Sequence, residues 1–263
     1  MKHTLKLLAA ILRSRVSRLT IYRFNFWTTA FVDATLFLIQ LLTFNAIFSQ
    51  VETIGSWTLP HMAIFVGTFT VIDALYMGTY FFGVLSLPDK IRTGRLDLYL
   101  TKPTNALFLL SFEQMDFGSI VLTIPGILMV VWGAVRLPSP VTVWMVLGYI
   151  VFLAAMYILM FFLMVLLRVP AFWFTRLTVF NHLENALVEF SYRVPGVLYQ
   201  GVWKFILYIL LPYGLMATLP TQMLAGEVSW THWGLVFGVL AAFWLLTSAV
   251  WRYGLSRYNS ASS

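Results

Sequence analysis

Two carboxylates stand where carboxylates are expensive. Asp33 lies inside "FWTTAFVDATLFLIQLLTFNAIF" and Asp73 near the middle of "LPHMAIFVGTFTVIDALYMGTYFFGVL". A charged group in hydrocarbon costs several kcal/mol, so it faces a cavity, a partner or the interior of a helix bundle. Two kinds of work suit it: a polar contact in a transport path, or a hydrogen bond that fixes two helices. The structural role is favoured, because Arg23, Asn25 and Thr28 stand close to Asp33 in sequence. Glu113 and Asp116 precede another apolar run, three residues apart and so on one helical face. They are expected at an interface, or at the mouth of a path.

A second concentration of polar chemistry is "DKIRTGRLDLYLTKP", Asp89–Pro103. Gly94 permits a sharp change of direction. Arg92, Arg95, Asp97 and Lys102 alternate charge along the segment, Leu96, Leu98 and Leu100 keep part of it apolar, and Pro103 ends it. The residues alone leave two readings open: a solvated loop, or a handle held by a soluble protein.

Other chemistry is missing. The sequence has no phosphate-cradling G-x-x-x-x-G-K-[ST] loop and no H-E-x-x-H pair. No G-x-S-x-G elbow is present either. His3, His61, His182 and His232 are scattered and read as surface or interfacial groups. The absence of cysteine excludes disulfides and thiolate metal sites. The expectation is a chain without catalysis, metal or cofactor of its own.

The elements that carry these residues are membrane helices. Of 263 residues, 60% are apolar and only 10% charged, against roughly 25% in soluble domains. A span needs about 20 apolar residues. Six candidates follow, at 26–48, 59–85, 117–135, 141–167, 201–219 and 233–251; Pro125 and Pro212 weaken the third and fifth. Residues 2–23 carry a leucine stripe beside basic groups and read as an amphipathic interfacial helix. A second such helix is expected over 176–200, and the Pro/Gly-broken 211–230 stretch reads as a re-entrant hairpin or a frayed span. The N-terminus does not have the pattern of a cleaved signal.

Net charge is +7, and the basic residues flank apolar runs, which points to a membrane surface rather than nucleic acid. With six crossings, every Lys and Arg except Arg136 falls on one side. Positive charge stays in the cytoplasm, so both termini and the 86–104 connection are expected inside.

"IRTGRLDLYLTKP" also resembles the G-x-L-D-x-x-L-x-K/R-P signature of ABC-2-type permeases, in the branch of uncharacterised bacterial export permeases. Gly94, Leu96, Asp97, Leu100, Lys102 and Pro103 match in register. The closing "YGLSRYNSAS" and the "FNHLENALVEFSYRVPGVLYQ" segment are similar to that branch. The resemblance implies an all-α polytopic membrane protein with a six-helix, type V exporter-like fold in the bacterial cytoplasmic membrane. It implies a second permease, identical or different, and two copies of a separate ATP-binding subunit that holds the ATP and Mg. It makes 86–104 the coupling loop, with Arg92, Gly94, Arg95, Asp97, Lys102 and Pro103 as dock residues. Asp33, Asp73, Glu113 and Asp116 remain candidates for the path or for helix contacts. The rival readings are an ion-coupled secondary transporter, which would use Asp33 and Asp73, and a membrane scaffold that recruits a cytosolic protein.

Overall fold

A computed structural model describes residues 23–174 and 177–258. The amphipathic helix expected over 2–23 lies outside the described residues, apart from Arg23, which opens α1 (Arg23–Phe48). α2 runs Leu59–Arg92 and contains one π-helical turn at Met77–Phe81. Two short helices, α3 (Asp97–Leu100) and α4 (Ala106–Ser111), lead into α5 (Phe117–Val135). α6 spans Val143–Phe172 and α7 Thr178–Arg193. α8 (Gly201–Leu210) and α9 (Pro212–Ala225) are a bent pair, and α10 is Trp230–Arg257.

The expected six crossings are not what the described residues show. Four helices, α2, α5, α6 and α10, are long and apolar enough to cross a membrane, or five elements if α8 and α9 count as one. α1 is a 26-residue helix, and its stretch Ala34–Phe48 is apolar. The fifth expected span fails for a local reason. Pro212 has no N–H to continue a helix, Leu211 leaves helical geometry at φ −132°, ψ 75°, and the two halves meet at 85°. At 1.5 Å per residue neither half covers roughly 30 Å of hydrocarbon.

α2 is the axis of the molecule. Its most apolar window is 78% buried, against 22% for α10. Its closest neighbour is α5, and glycines allow the approach. A Cβ on Gly67 would stand 2.6 Å from the Gly126 carbonyl oxygen, and one on Gly133 the same distance from that of Pro60. Between helices in lipid, close packing of small residues replaces the hydrophobic drive that works in water. α6 runs parallel to α2: Tyr149 bonds Thr68 near one end, at 3.0 Å, and Tyr157 bonds Thr79 further along, at 2.6 Å.

The two ends of the bundle differ. At one, the 49–58 connection meets the end of α9. Trp57 Nε1 donates to Glu227 at 3.5 Å, and His61, buried, lies 3.7 Å from the same carboxylate. Leu198 also packs there, within 3.0 Å of where a Gly55 Cβ would be. At the other end lies the 86–116 connection. α7 sits between these ends and not apart from them: its Tyr192 hydroxyl is 3.2 Å from Thr70 in mid-α2, and its Glu184 is buried against Arg168 of α6.

Candidate functional site

The charged connection is built from the last turns of α2. With 34 residues, that helix measures roughly 50 Å and outruns the hydrocarbon by several turns. Gly94 ends it in the left-handed region, at φ 70°. The Gly94 N–H donates to Ile91 at 3.3 Å and that of Leu96 to Lys90 at 3.1 Å, so the chain turns back on the helix it has just left. Leu87, Ile91 and Leu96 are buried in that return.

Three side chains brace it. The Lys90 ammonium is buried and lies 3.0 Å from Glu113 Oε2. The Tyr99 hydroxyl donates to the same oxygen. Lys90 also stands 4.6 Å above the Tyr99 ring, and Lys102 at 5.6 Å, within the range of a cation–π contact. Burial, and then the bond to Glu113, push the Tyr99 hydroxyl well above the usual tyrosine range. Lys90 and Glu113 are 23 residues apart, so no helical spacing rule announces this brace. Glu113 had read as an interface or path residue; the structure places it with Lys90 and Tyr99.

The brace is tied to the bundle at three places. α4 packs so closely on α2 that a Cβ on Gly83 would stand 2.0 Å from the Ser111 carbonyl oxygen. The last turns of α2 pack on Val169–Phe172, the end of α6. The Phe172 ring lies 5.7 Å from Trp251 and 6.0 Å from Tyr258, at the end of α10. Burial raises the Tyr258 hydroxyl, and the Asp97 carboxylate beside it adds to the effect.

Of the six expected dock residues, Arg92, Arg95, Lys102 and Pro103 are exposed, whereas Gly94 and Asp97 are half-buried. Arg92 pairs with Asp89 at 2.8 Å. Leu98 and Leu100 are exposed among them. The outward face is therefore basic and leucine-bearing.

The remaining candidates separate. Asp116 caps α5: its Oδ1 accepts from the Gly118 N–H at 3.0 Å and its Oδ2 from Ser119 at 3.2 Å. Its own N–H donates to the Gly78 carbonyl at 3.0 Å, an acceptor in the π-helical turn of α2. Asp73 is half-buried and lines a cavity of about 380 Å³ between α1, α2 and α7. The Asp33 side chain lies outside the described residues. Among the described residues no three His, Asp or Glu side chains converge as a metal site would require.

All-helical and apolar, with a charged connection folded against one end, the chain has the build of a polytopic membrane permease. The sequence model of the ABC-2 family transporter protein matches residues 34–262, and the chain belongs to that family. Membership makes it a transport subunit of the membrane and not an enzyme. No curated protein matches the chain, and no solved structure matches it.

Proposed function

We propose that this chain is the permease subunit of an ATP-driven exporter in a bacterial cytoplasmic membrane, and that residues 86–104 receive the stroke of a separate ATPase. The observation that carries this reading is the braced connection. It is held by Lys90, Tyr99 and Glu113 and packs on the ends of α2 and α6, with Asp97 beside Tyr258 at the end of α10. A load applied to its outward face reaches three long helices without first being absorbed by a slack loop. Arg95 and Lys102 face outward and suit carboxylates on the ATPase, while Leu98 supplies apolar contact. ATP and Mg chemistry belongs to two copies of that partner. A second permease, identical or different, covers apolar helix faces that lipid does not.

The packing also supports a revised path through the membrane. α7 ascends from the end of α6 to mid-α2, Leu198 reaches the 49–58 connection, and α8–α9 form a re-entrant pair at that outer end. The residues that follow the non-helical turn at Leu211, Pro212–Leu215, are buried, and cover by protein is the condition for broken backbone at membrane depth. With α1 counted as one crossing and the whole 178–198 stretch as another, because α7 alone covers only about 24 Å, the total is again even and both termini lie inside. Lys204 then joins Arg136 on the outer side, and the remaining basic residues keep the inward bias.

The test is to co-express the chain with candidate ABC ATP-binding subunits from the same genome and compare wild type with Arg95→Glu/Lys102→Glu. Co-purification and nucleotide-driven transport are expected for wild type, with loss of both in the variant and unchanged membrane insertion. A variant that assembles and transports normally overturns the dock.

A further inference from the structure

A cavity of about 350 Å³ lies between α4, α6 and α10, within the range of small-molecule sites, roughly 300–1,000 Å³. Its chemistry changes along its length. At the end of the bundle that carries the charged connection, Arg252 and Ser248 of α10 line it, beside Asn105. Arg252 is exposed, and among the described residues no carboxylate pairs with it. No acidic side chain lines the cavity. Thr247, roughly 7 Å deeper along α10, also lines it and is only 3% exposed. Its Oγ1 has no hydrogen-bond partner among the described residues. A helical threonine can return its hydroxyl to a carbonyl one turn back, as Thr70 and Thr79 do in α2. A buried hydroxyl that makes no such bond carries a desolvation cost that a bound acceptor would remove. Beyond Thr247 the wall turns apolar, with Trp244, Phe161 and Phe162. Trp244 and Ile158 bring the exposed faces of α10 and α6 into the lining, so one side of the cavity meets hydrocarbon. The tyrosine hydroxyls of the wall are already used: Tyr80 donates to the Tyr157 carbonyl at 2.8 Å, and the Tyr157 hydroxyl bonds Thr79 at 2.6 Å.

We infer that this cavity is a binding site for an anionic glycerophospholipid. The order cation, buried hydroxyl, apolar wall matches the order phosphate, ester, acyl chain. The phosphate meets Arg252 and Ser248, an ester carbonyl accepts from the Thr247 hydroxyl, and a chain runs along Trp244, Ile158 and Phe162. Basic pockets between membrane helices on the cytoplasmic side suit such headgroups. The inference rests on the permease reading for placing the site in the inner leaflet, but not for its test. An organic cation would meet Arg252 and no acid. A soluble anion would leave the aromatic wall without an occupant, and a hydrocarbon chain alone would leave the Thr247 hydroxyl without an acceptor.

The experiment uses the full chain, purified and delipidated in a non-ionic maltoside detergent, without nucleotide or ATPase. Mass spectrometry of the intact complexes measures the affinity for three probes. These are dioleoyl phosphatidylglycerol, dioleoylglycerol, which keeps chains and esters but lacks the phosphate, and glycerol 3-phosphate, which lacks the chains. The phospholipid is expected to bind roughly tenfold more tightly than either fragment. Arg252→Gln is expected to weaken the phospholipid roughly tenfold and leave dioleoylglycerol unchanged. Thr247→Val replaces the buried hydroxyl by a methyl and is expected to weaken both lipids several-fold. Arg257→Gln removes a cation from the same helix end, outside the cavity lining, and is expected to change nothing. Equal binding of phospholipid and dioleoylglycerol overturns the site, as does glycerol 3-phosphate bound as tightly as the phospholipid. Wild-type phospholipid affinity in Arg252→Gln overturns it too, as does an equal loss in Arg257→Gln, which would mark diffuse surface charge. Should Arg252→Gln fail to fold, Thr247→Val decides, and wild-type affinity there overturns the site. Phospholipid binding without assembly of an ATPase would sink the permease reading alone; nucleotide-driven transport by a chain with no preference for the phospholipid would sink the site alone.

Discussion

Replacing Glu113 by Gln removes the negative charge that holds a buried ammonium. In the wild type, Lys90 Nζ is 3.0 Å from Glu113 Oε2, with the Lys90 side chain 9% exposed and that of Glu113 35%. Breaking a fully buried pair from one side costs about 3–5 kcal/mol. Hydrogen bonds to charged groups contribute about 1.5–3 kcal/mol. Because a third of the Glu113 side chain reaches solvent, the lower range applies, and Glu113→Gln is expected to destabilise the folded chain by about 2 kcal/mol. That is roughly a thirtyfold shift in the unfolding equilibrium. Lys90→Met removes the ammonium and leaves a carboxylate that water can reach, so it costs less. In the double variant neither charge is stranded, and a coupling of about 1 kcal/mol or more is expected between the two sites. The assay is reversible unfolding in mixed detergent micelles, followed by circular dichroism, with the cycle closed over wild type, both single variants and the double. Additive single effects would refute the brace, as would a Glu113→Gln protein as stable as wild type.

Other outcomes follow from the same geometry. Gly94→Ala forces a side chain into the left-handed region and is expected to cost roughly 1–2 kcal/mol; Gly94→Pro cannot adopt φ 70° at all and should abolish ATPase coupling while insertion persists, read by transport in proteoliposomes. Gly67→Val drives a side chain into the Gly126 carbonyl and should lower the unfolding midpoint markedly, by roughly 3 kcal/mol. Gly234→Ala, on open α10 surface with nothing within 4 Å, should instead be neutral or stabilise by about 0.5–1 kcal/mol. The Tyr99 hydroxyl titrates above its ordinary value of 10.0 in the folded chain, so as pH climbs the unfolded chain releases that proton first. Stability from this group is complete below pH 10 and falls as the pH rises beyond it; a Tyr99→Phe protein should show the shallower decline in unfolding midpoint between pH 9 and 11.

Much of the molecule was written into its composition and punctuation. Low charge and long apolar runs specify a helical membrane protein, because a chain in hydrocarbon must satisfy its backbone polar groups internally. Gly94 announced a turn and Pro212 a break, since each acts through its own backbone geometry. What the residues could not announce was who meets whom. Glu113 read as an inner-interface carboxylate within reach of basic side chains, and folding chose Lys90 among them; 176–200 read as an interfacial helix, and folding set its Tyr192 hydroxyl 3.2 Å from Thr70 in mid-α2. The amphipathic pattern of that helix is the same whether its polar side faces headgroups or a polar cavity; periodicity records that a face is polar, not what lies opposite. The number of crossings failed for a related reason. Hydropathy sums a window and is blind to an 85° bend inside it. The sequence by itself determined the solvent this protein lives in and the places where its backbone turns, both local consequences of residue type. Only the tertiary structure decided the partners of its buried charges, because those partners lie many residues apart and are chosen by packing.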